Sequence, residues 1–139
     1  MTNKFQPAPK GTIDAVCIDV IDLGVRPTPW GDKHQEKLVF EIDAVKENGY
    51  RFIVSRIVNI SNHEKSTRRM LLDKWLAQSS SQIAIARGIR GQSLIGMPAR
   101  IVLKHVEKYG QTYINIKEIL PAGSTHLKPS GKYNRWENN

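Results

Sequence analysis

The stretch that decides the fold is Lys37–Val58, KLVFEIDAVKENGYRFIVSRIV. From Lys37 to Val45, the residues Leu38, Phe40, Ile42 and Ala44 alternate with Val39, Glu41 and Asp43. Such alternation marks a strand with one buried face, because successive side chains leave a pleated backbone on opposite sides. Lys46-Glu47-Asn48-Gly49 ends in Asn-Gly, a pair that readily takes the positive φ angles of a tight turn. Tyr50–Val58 is again β-branched and aromatic, so the two runs are expected to form a hairpin. The inward face of the second run stays open: Phe52 and Val54 share a parity with Arg56, whereas Ile53 and Ile57 share the other.

Upstream, Thr12–Leu23 (TIDAVCIDVIDL) is too rich in β-branched residues for a comfortable helix and reads as a first strand. Between it and the hairpin, Leu23–Phe40 (LGVRPTPWGDKHQEKLVF) reads as a long loop that exposes Trp30 among Arg26, Lys33, His34 and Lys37. Downstream the period changes. In Ser66–Ala77 (STRRMLLDKWLA), Arg68, Leu71, Leu72, Trp75 and Leu76 recur at helical spacing behind Ser66, a suitable N-cap. Residues 78–96 carry Ser79-Ser80-Ser81, Gly88, Gly91 and Gly96 and read as an irregular connection, with a short helical turn over Ile83–Ile89. Ala99–Val106 sets Ile101 and Leu103 against Arg100 and Lys104. Gln111–Ile119 sets Ile114 and Ile116 against Tyr113, Asn115 and Lys117, and Glu107–Gly110 turns the chain between them.

The order is strand, strand, strand, helix, strand, strand. It suits an all-β domain with one main helix, a five-stranded Greek-key barrel of the OB type, whose strands two and three and flanking loops commonly hold oligonucleotides or oligosaccharides. A β-sandwich would need more strands. The expected divisions are a lead-in over 1–11, the barrel over 12–121, and a flexible basic tail over 122–139 whose lack of apolar periodicity predicts extended or mobile chain.

The 139 residues fit one domain, and 21 Lys and Arg against 13 Asp and Glu leave a formal charge of +8. That balance suits a polyanionic partner, though a solubilising surface accounts for it equally well. The single cysteine, Cys17, allows no disulfide within the chain, and a reducing cytoplasm fits that usage. No run approaches a membrane span, and Met1–Gly11 lacks the apolar centre of a signal peptide.

The parts of a catalytic site do not assemble. His34, His63, His105 and His126 are dispersed, Cys17 lies in an apolar strand, and strand alternation separates Asp14 and Asp22 from Asp19. The expectation is therefore a protein without catalysis, cofactor or metal. Binding of single strands needs a cationic groove and aromatic faces for the bases, and both occur. Trp30 stands with Lys33 and Lys37 in the first loop; it reads either as a stacking surface or as a lid over the barrel mouth. Lys108 and Tyr109 occupy the second hairpin turn, while Tyr113 and Lys117 follow on the last strand, where Tyr113 could instead close one end of the barrel. Lys65, Arg68 and Arg69 surround the helix start, where the macrodipole disfavours cations unless an anion is bound. Arg51 and Arg56 fall on opposite faces of strand three, so at most one of them can readily join a groove, and the sequence does not say which. Trp75 belongs with Leu71 and Leu72 on the apolar helix face. Trp136, with Lys132, Tyr133 and Arg135, makes the tail either a basic-aromatic clamp or a disordered end.

The succession GTIDAVCIDVIDLG, the Pro-Trp-Gly loop, KLVFEID, FIVSRIVNISNHEKSTRRMLLDKWL, LIGMPARIVLKH and GQTYINIKEILP resembles a family of phage-encoded OB-fold proteins, over roughly Lys10–Pro121. Members are regarded as single-stranded DNA-binding proteins of phage replication and recombination modules. The resemblance implies a barrel that coats single-stranded DNA with little sequence preference in the host-cell cytoplasm, as a possible homo-oligomer beside replication or recombination proteins. The family-like positions are Trp30, Arg56, Asn62–Ser66 and Tyr113-Ile114-Asn115-Ile116. Many such proteins end in an acidic tail that recruits partners, whereas this chain ends KPSGKYNRWENN. The competing expectation is an OB-fold adaptor or scaffold in a phage assembly, its charge directed at an acidic protein.

Overall fold

A computed structural model describes residues 8–60, 67–76, 94–124 and 126–135, with helix residues 67–69 described as backbone only. Five strands follow in chain order: β1 (Gly11–Thr28), β2 (Gly31–Val45), β3 (Arg51–Asn59), β4 (Pro98–Lys108) and β5 (Gln111–Pro121). One helix, α1 (Thr67–Trp75), lies between β3 and β4. All pairings are antiparallel, in one sheet of order β3-β2-β1-β4-β5. It follows that β1, β3 and β5 run the same way. The edge strands β3 and β5 approach one another, and α1 packs against both.

Strand β1 organises the sheet because its first half serves two neighbours. Ala15 and Val16 face Ile42 and Glu41 of β2 on one side and Ala99 and Pro98 of β4 on the other. An irregularity between Cys17 and Asp19 then breaks the alternation, as a bulge does when one extra residue is inserted. Ala15, Cys17 and Val20 thereby all reach the core.

The core lies under one face of the sheet. Leu38, Phe40 and Ile42 enter it from β2, as their alternation predicts; Phe52, Val54 and Val58 enter from β3, settling the face of that strand. Ile101 and Leu103 come from β4, and Ile116 and Ile119 from β5. The change of parity on β5 follows from a shift opposite Val102 and Leu103, which leaves Lys117 without a register partner. Helix α1 closes the core with Leu71, Leu72 and Trp75. The Trp75 ring meets Phe40 at 5.4 Å between centroids, tilted by 59°, and its Nε1–H donates to the Pro98 carbonyl at 2.9 Å. Burial of such a side chain stabilises by about 1.5–3 kcal/mol, and the indole hydrogen bond removes the cost of hiding its N–H. Cys17 is a packed residue of the same core, and burial pushes its thiol up to about 12.

Two expectations need correction. Leu23–Phe40 is not a loop: β1 and β2 stay paired out to Thr28 opposite Gly31, leaving only Pro29 and Trp30 as the turn. The Thr28 hydroxyl donates to the Gly31 carbonyl at 2.6 Å and accepts from the Trp30 N–H at 3.2 Å, while Gly31 takes φ 105. The stretch is therefore a two-stranded arm. Proline and charge suggested a loop because a ribbon with neither face in the core shows no apolar alternation.

The C-terminal segment, expected to be extended or mobile, is irregular over 126–135 but lies anchored across the sheet face opposite the core. Its anchors are Asp19 of β1 and Glu41 of β2, both buried, although alternation set Glu41 opposite the apolar face. A buried carboxylate must be paired, and a segment distant in sequence supplies Arg135 and Tyr133 to Asp19 and joins Arg51 at Glu41 through Ser130. No helix among the described residues is long and apolar enough to cross a membrane. The helical turn expected over Ile83–Ile89 and the N-cap Ser66 lie outside the described residues.

Candidate nucleic-acid interface

Side chains that point away from the core on β1, β2 and β3 form a shelf. Register places Ile21 beside Lys37, Asp19 beside Val39, Val39 beside Ser55 and Glu41 beside Ile53. Over this shelf lies a groove of about 290 Å³ lined by Ile21, Lys37, Val39, Lys46, Ile53, Ser55 and Tyr133. Ser55 also borders a second groove, of about 480 Å³, where β3 and β5 approach: Ser55, Arg56, Ile57, Lys104, Asn115, Ile116 and Lys117 line it. Neither lining includes a carboxylate. Among the described residues no ion pair engages Lys37, Lys46, Arg56, Lys104 or Lys117. Ile57, nearly half exposed, adds an apolar surface between the grooves.

Of the sequence-predicted residues, Lys37, Arg56 and Lys117 come together on these two grooves. Lys37 belongs to the paired body of β2 rather than to a loop. Arg56 has core-facing parity but sits on the edge strand, so its side chain emerges between β3 and β5. Lys104 and Lys46 complete the set and were not among the candidates. Lys104 was legible only as the polar side of a strand, and its proximity to Arg56 depends on β3 meeting β5.

Of the remaining candidates, Trp30, Lys33, Lys108, Tyr109 and Tyr113 lie at or near the hairpin ends. Trp30 is 83% exposed at the arm tip and does not cover the core, so the lid reading fails. Behind it Arg26 stands directly opposite Lys33 across the ribbon. Two like charges in register repel unless an anion lies between them. At the arm base His34 Nε2 meets Asp22 Oδ1 at 2.6 Å, and Asp22 also accepts from the Gly24 N–H at 2.8 Å; these contacts hold its carboxyl below the usual range.

Tyr109 and Gly110 turn the second hairpin with φ 54 and φ 75, and Tyr109 is 90% exposed. A left-handed backbone costs a residue with a side chain about 1–2 kcal/mol, and the two-residue hairpin turn imposes it on Tyr109. The Lys108 ammonium lies 5.5 Å from the ring centroid. Tyr113 is about half exposed and donates its hydroxyl to Gln111 Oε1 at 2.9 Å; it does not close the end of the sheet. Lys65, the side chains of Arg68 and Arg69, and Trp136 lie outside the described residues. Lys74, in the last turn of α1, is held by Glu118 at 2.7 Å.

The rim of the shelf groove comes from the C-terminal segment. Tyr133 donates its hydroxyl to Asp19 Oδ2 at 2.9 Å, and Arg135 donates Nε–H to the same oxygen at 2.7 Å and a further N–H to Asp19 Oδ1. The Arg135 hydrogen bonds hold the Asp19 carboxyl below its ordinary value against the opposing effect of burial. Burial, together with the bond to Asp19, pushes the Tyr133 phenol up to about 12. Glu41 accepts from the Ser130 N–H at 2.8 Å, the Ser130 hydroxyl at 2.6 Å and Arg51 at 3.2 Å. Arg51 also donates to the Lys128 carbonyl at 2.6 Å, and Lys132 lies 5.1 Å from the Tyr50 ring.

These contacts occupy two of the acidic groups that a metal would need. Asp19 is taken up by Arg135 and Tyr133, Asp22 by His34, and among the described residues no cluster of three His, Cys, Asp or Glu is placed to hold an ion. In comparison with known proteins, no family model and no curated protein matches the chain.

Proposed function

We propose that the protein binds single-stranded DNA without catalysis and with little dependence on sequence. Its five strands and helix would form an OB-type barrel across the β3–β5 approach. The observation that carries this reading is the pair of grooves meeting at Ser55, with Lys37, Lys46, Arg56, Lys104 and Lys117 on their walls and no carboxylate among them. Spaced cations meet successive phosphates, and release of the counterions condensed on the strand drives association. Apolar and aromatic surfaces meet the bases: Ile57 on the shelf, Tyr133 at its rim, and Trp30, Tyr109 and Tyr113 toward the hairpin ends. The width of a base-reading groove is not required, because stacking is tolerant of base identity.

A role in phage replication or recombination, in the host cytoplasm, follows from the family resemblance and is proposed on that ground. The adaptor reading is favoured by no particular contact. Oligo-thymidine titrated at two salt concentrations, beside the matching duplex, tests the proposal. The expected result is tryptophan quenching by the single strand, with affinity that drops as salt rises; a folded protein that binds neither more tightly at low salt nor in preference to duplex ends it.

A further inference from the structure

A face that collects phosphates is a poor place for carboxylates, yet Asp19 and Glu41 sit on the outward side of β1 and β2. They are register neighbours of Val39 and Ile53 in the wall of the shelf groove. Uncovered, Asp19 would set an unpaired negative charge beside the phosphate path, opposing Lys37 and Lys46, while Glu41 would keep only Arg51. The C-terminal segment covers both. Arg135 binds Asp19 through two N–H groups, the Tyr133 hydroxyl adds a third donor, and Val20 N–H donates at 2.8 Å. Ser130 and Arg51 take up Glu41, and Arg51 reaches back to the Lys128 carbonyl of the same segment.

We propose that the segment Lys128–Arg135 is a built-in strap that covers Asp19 and Glu41, cancels the charge of Asp19 through Arg135 and leaves that of Glu41 to Arg51 of β3, and so makes the β1–β3 face receptive to a polyanion. The partner is a nucleic-acid strand, so the inference rests on the functional reading above; Arg135 acts as a positioning residue through Asp19 rather than as a contact to phosphate. The chemistry explains why a basic tail suits this chain. An acidic tail would compete for Lys37 and Lys46 on this face, whereas Arg135 of a basic one meets Asp19, a carboxylate that β1 turns outward. It also explains why Tyr133 stands at the rim with its hydroxyl turned to Asp19 and its ring lining the groove.

The test is a double-mutant cycle in the full chain, read by oligo-thymidine affinity at low salt, with thermal unfolding measured for every variant. Arg135→Ala uncovers Asp19 and is expected to weaken binding about tenfold, the scale of an uncompensated like charge in an anion site. Asp19→Asn removes the charge that Arg135 cancels and is expected to bind within about twofold of wild type. Combining Asp19→Asn with Arg135→Ala is expected to restore affinity to the same level. If the double variant remains as weak as Arg135→Ala, Arg135 contacts the strand directly and the strap inference falls while DNA binding stands. Should Arg135→Ala be unfolded at the assay temperature, Arg135→Gln with Asp19→Asn supplies a second cycle, in which Arg135→Gln weakens binding and added Asp19→Asn restores it. Absence of binding by the wild-type protein removes the functional reading and this inference together.

Discussion

The two faces of β2 are built from the same strand and hold by different physics. Toward the core, Leu38, Phe40 and Ile42 are fully buried among side chains from β1, β3 and α1. On the other side Lys37, Val39 and Glu41 alternate charge with one apolar residue, and Val39 and Glu41 are nonetheless buried. The inner face is closed by dry packing. The outer one is closed by hydrogen bonds from a segment that begins after β5, so its burial depends on charge pairing. Changes on the inner face should act on stability, and changes on the outer face on ligand affinity.

The largest expected effect tests the inner face. Trp75→Ala removes the ring that meets Phe40 and the hydrogen bond to Pro98, and should cost about 3–5 kcal/mol in chemical denaturation. If stability is nearly unchanged, the core does not close through α1 as described. Next is the combined variant Arg56→Ala/Lys104→Ala/Lys117→Ala, which should unfold near the wild-type midpoint. Its affinity should be weaker, and the slope of log affinity against log salt shallower by about 2, as three lost phosphate contacts imply. An unaltered slope would move the strand off the β3–β5 groove.

Trp30→Ala should leave stability within about 0.5 kcal/mol, since the ring touches solvent, and weaken single-strand binding by about 1–3 kcal/mol. A variant that binds normally would reduce the arm to a scaffold. The smallest effect concerns acid. Because the folded-state carboxyl of Asp19 is lowered, the contribution of the strap is complete above its unfolded value of about 3.9 and is lost only as pH falls through the lower folded value. Exchange of the Arg135 Nε proton, which donates to Asp19, should thus stay slow across neutral pH. Release already near pH 6 would mean that Asp19 and Arg135 do not hold the segment.

Particular residues show what was legible. Leu38, Phe40 and Ile42 announced their face because a half-buried strand writes its burial into alternate positions. Trp75 announced its place by recurring with Leu71 and Leu72 at helical spacing. The arm was missed because Gly24–Lys33 has no core to bury against, so its pairing leaves no hydrophobic period. Lys104 was missed because its neighbours in the groove, Arg56 and Lys117, come from other strands. Asp19 and Glu41 look like solvent-facing residues in any local reading, and the tail that buries them looks unstructured.

The sequence by itself determined the order of the elements, the inward sets of β2 and β4 and the excess of positive charge, because these depend on spacing within a few residues. Only the tertiary structure decided that cations from β2, β3, β4 and β5 share two meeting grooves, that Trp30 stands clear at the end of a ribbon, and that a basic tail returns to cover two carboxylates. Those outcomes depend on residues far apart in the chain: pairing and burial act across space, and the local period of a sequence records only the part of that space which its own element faces.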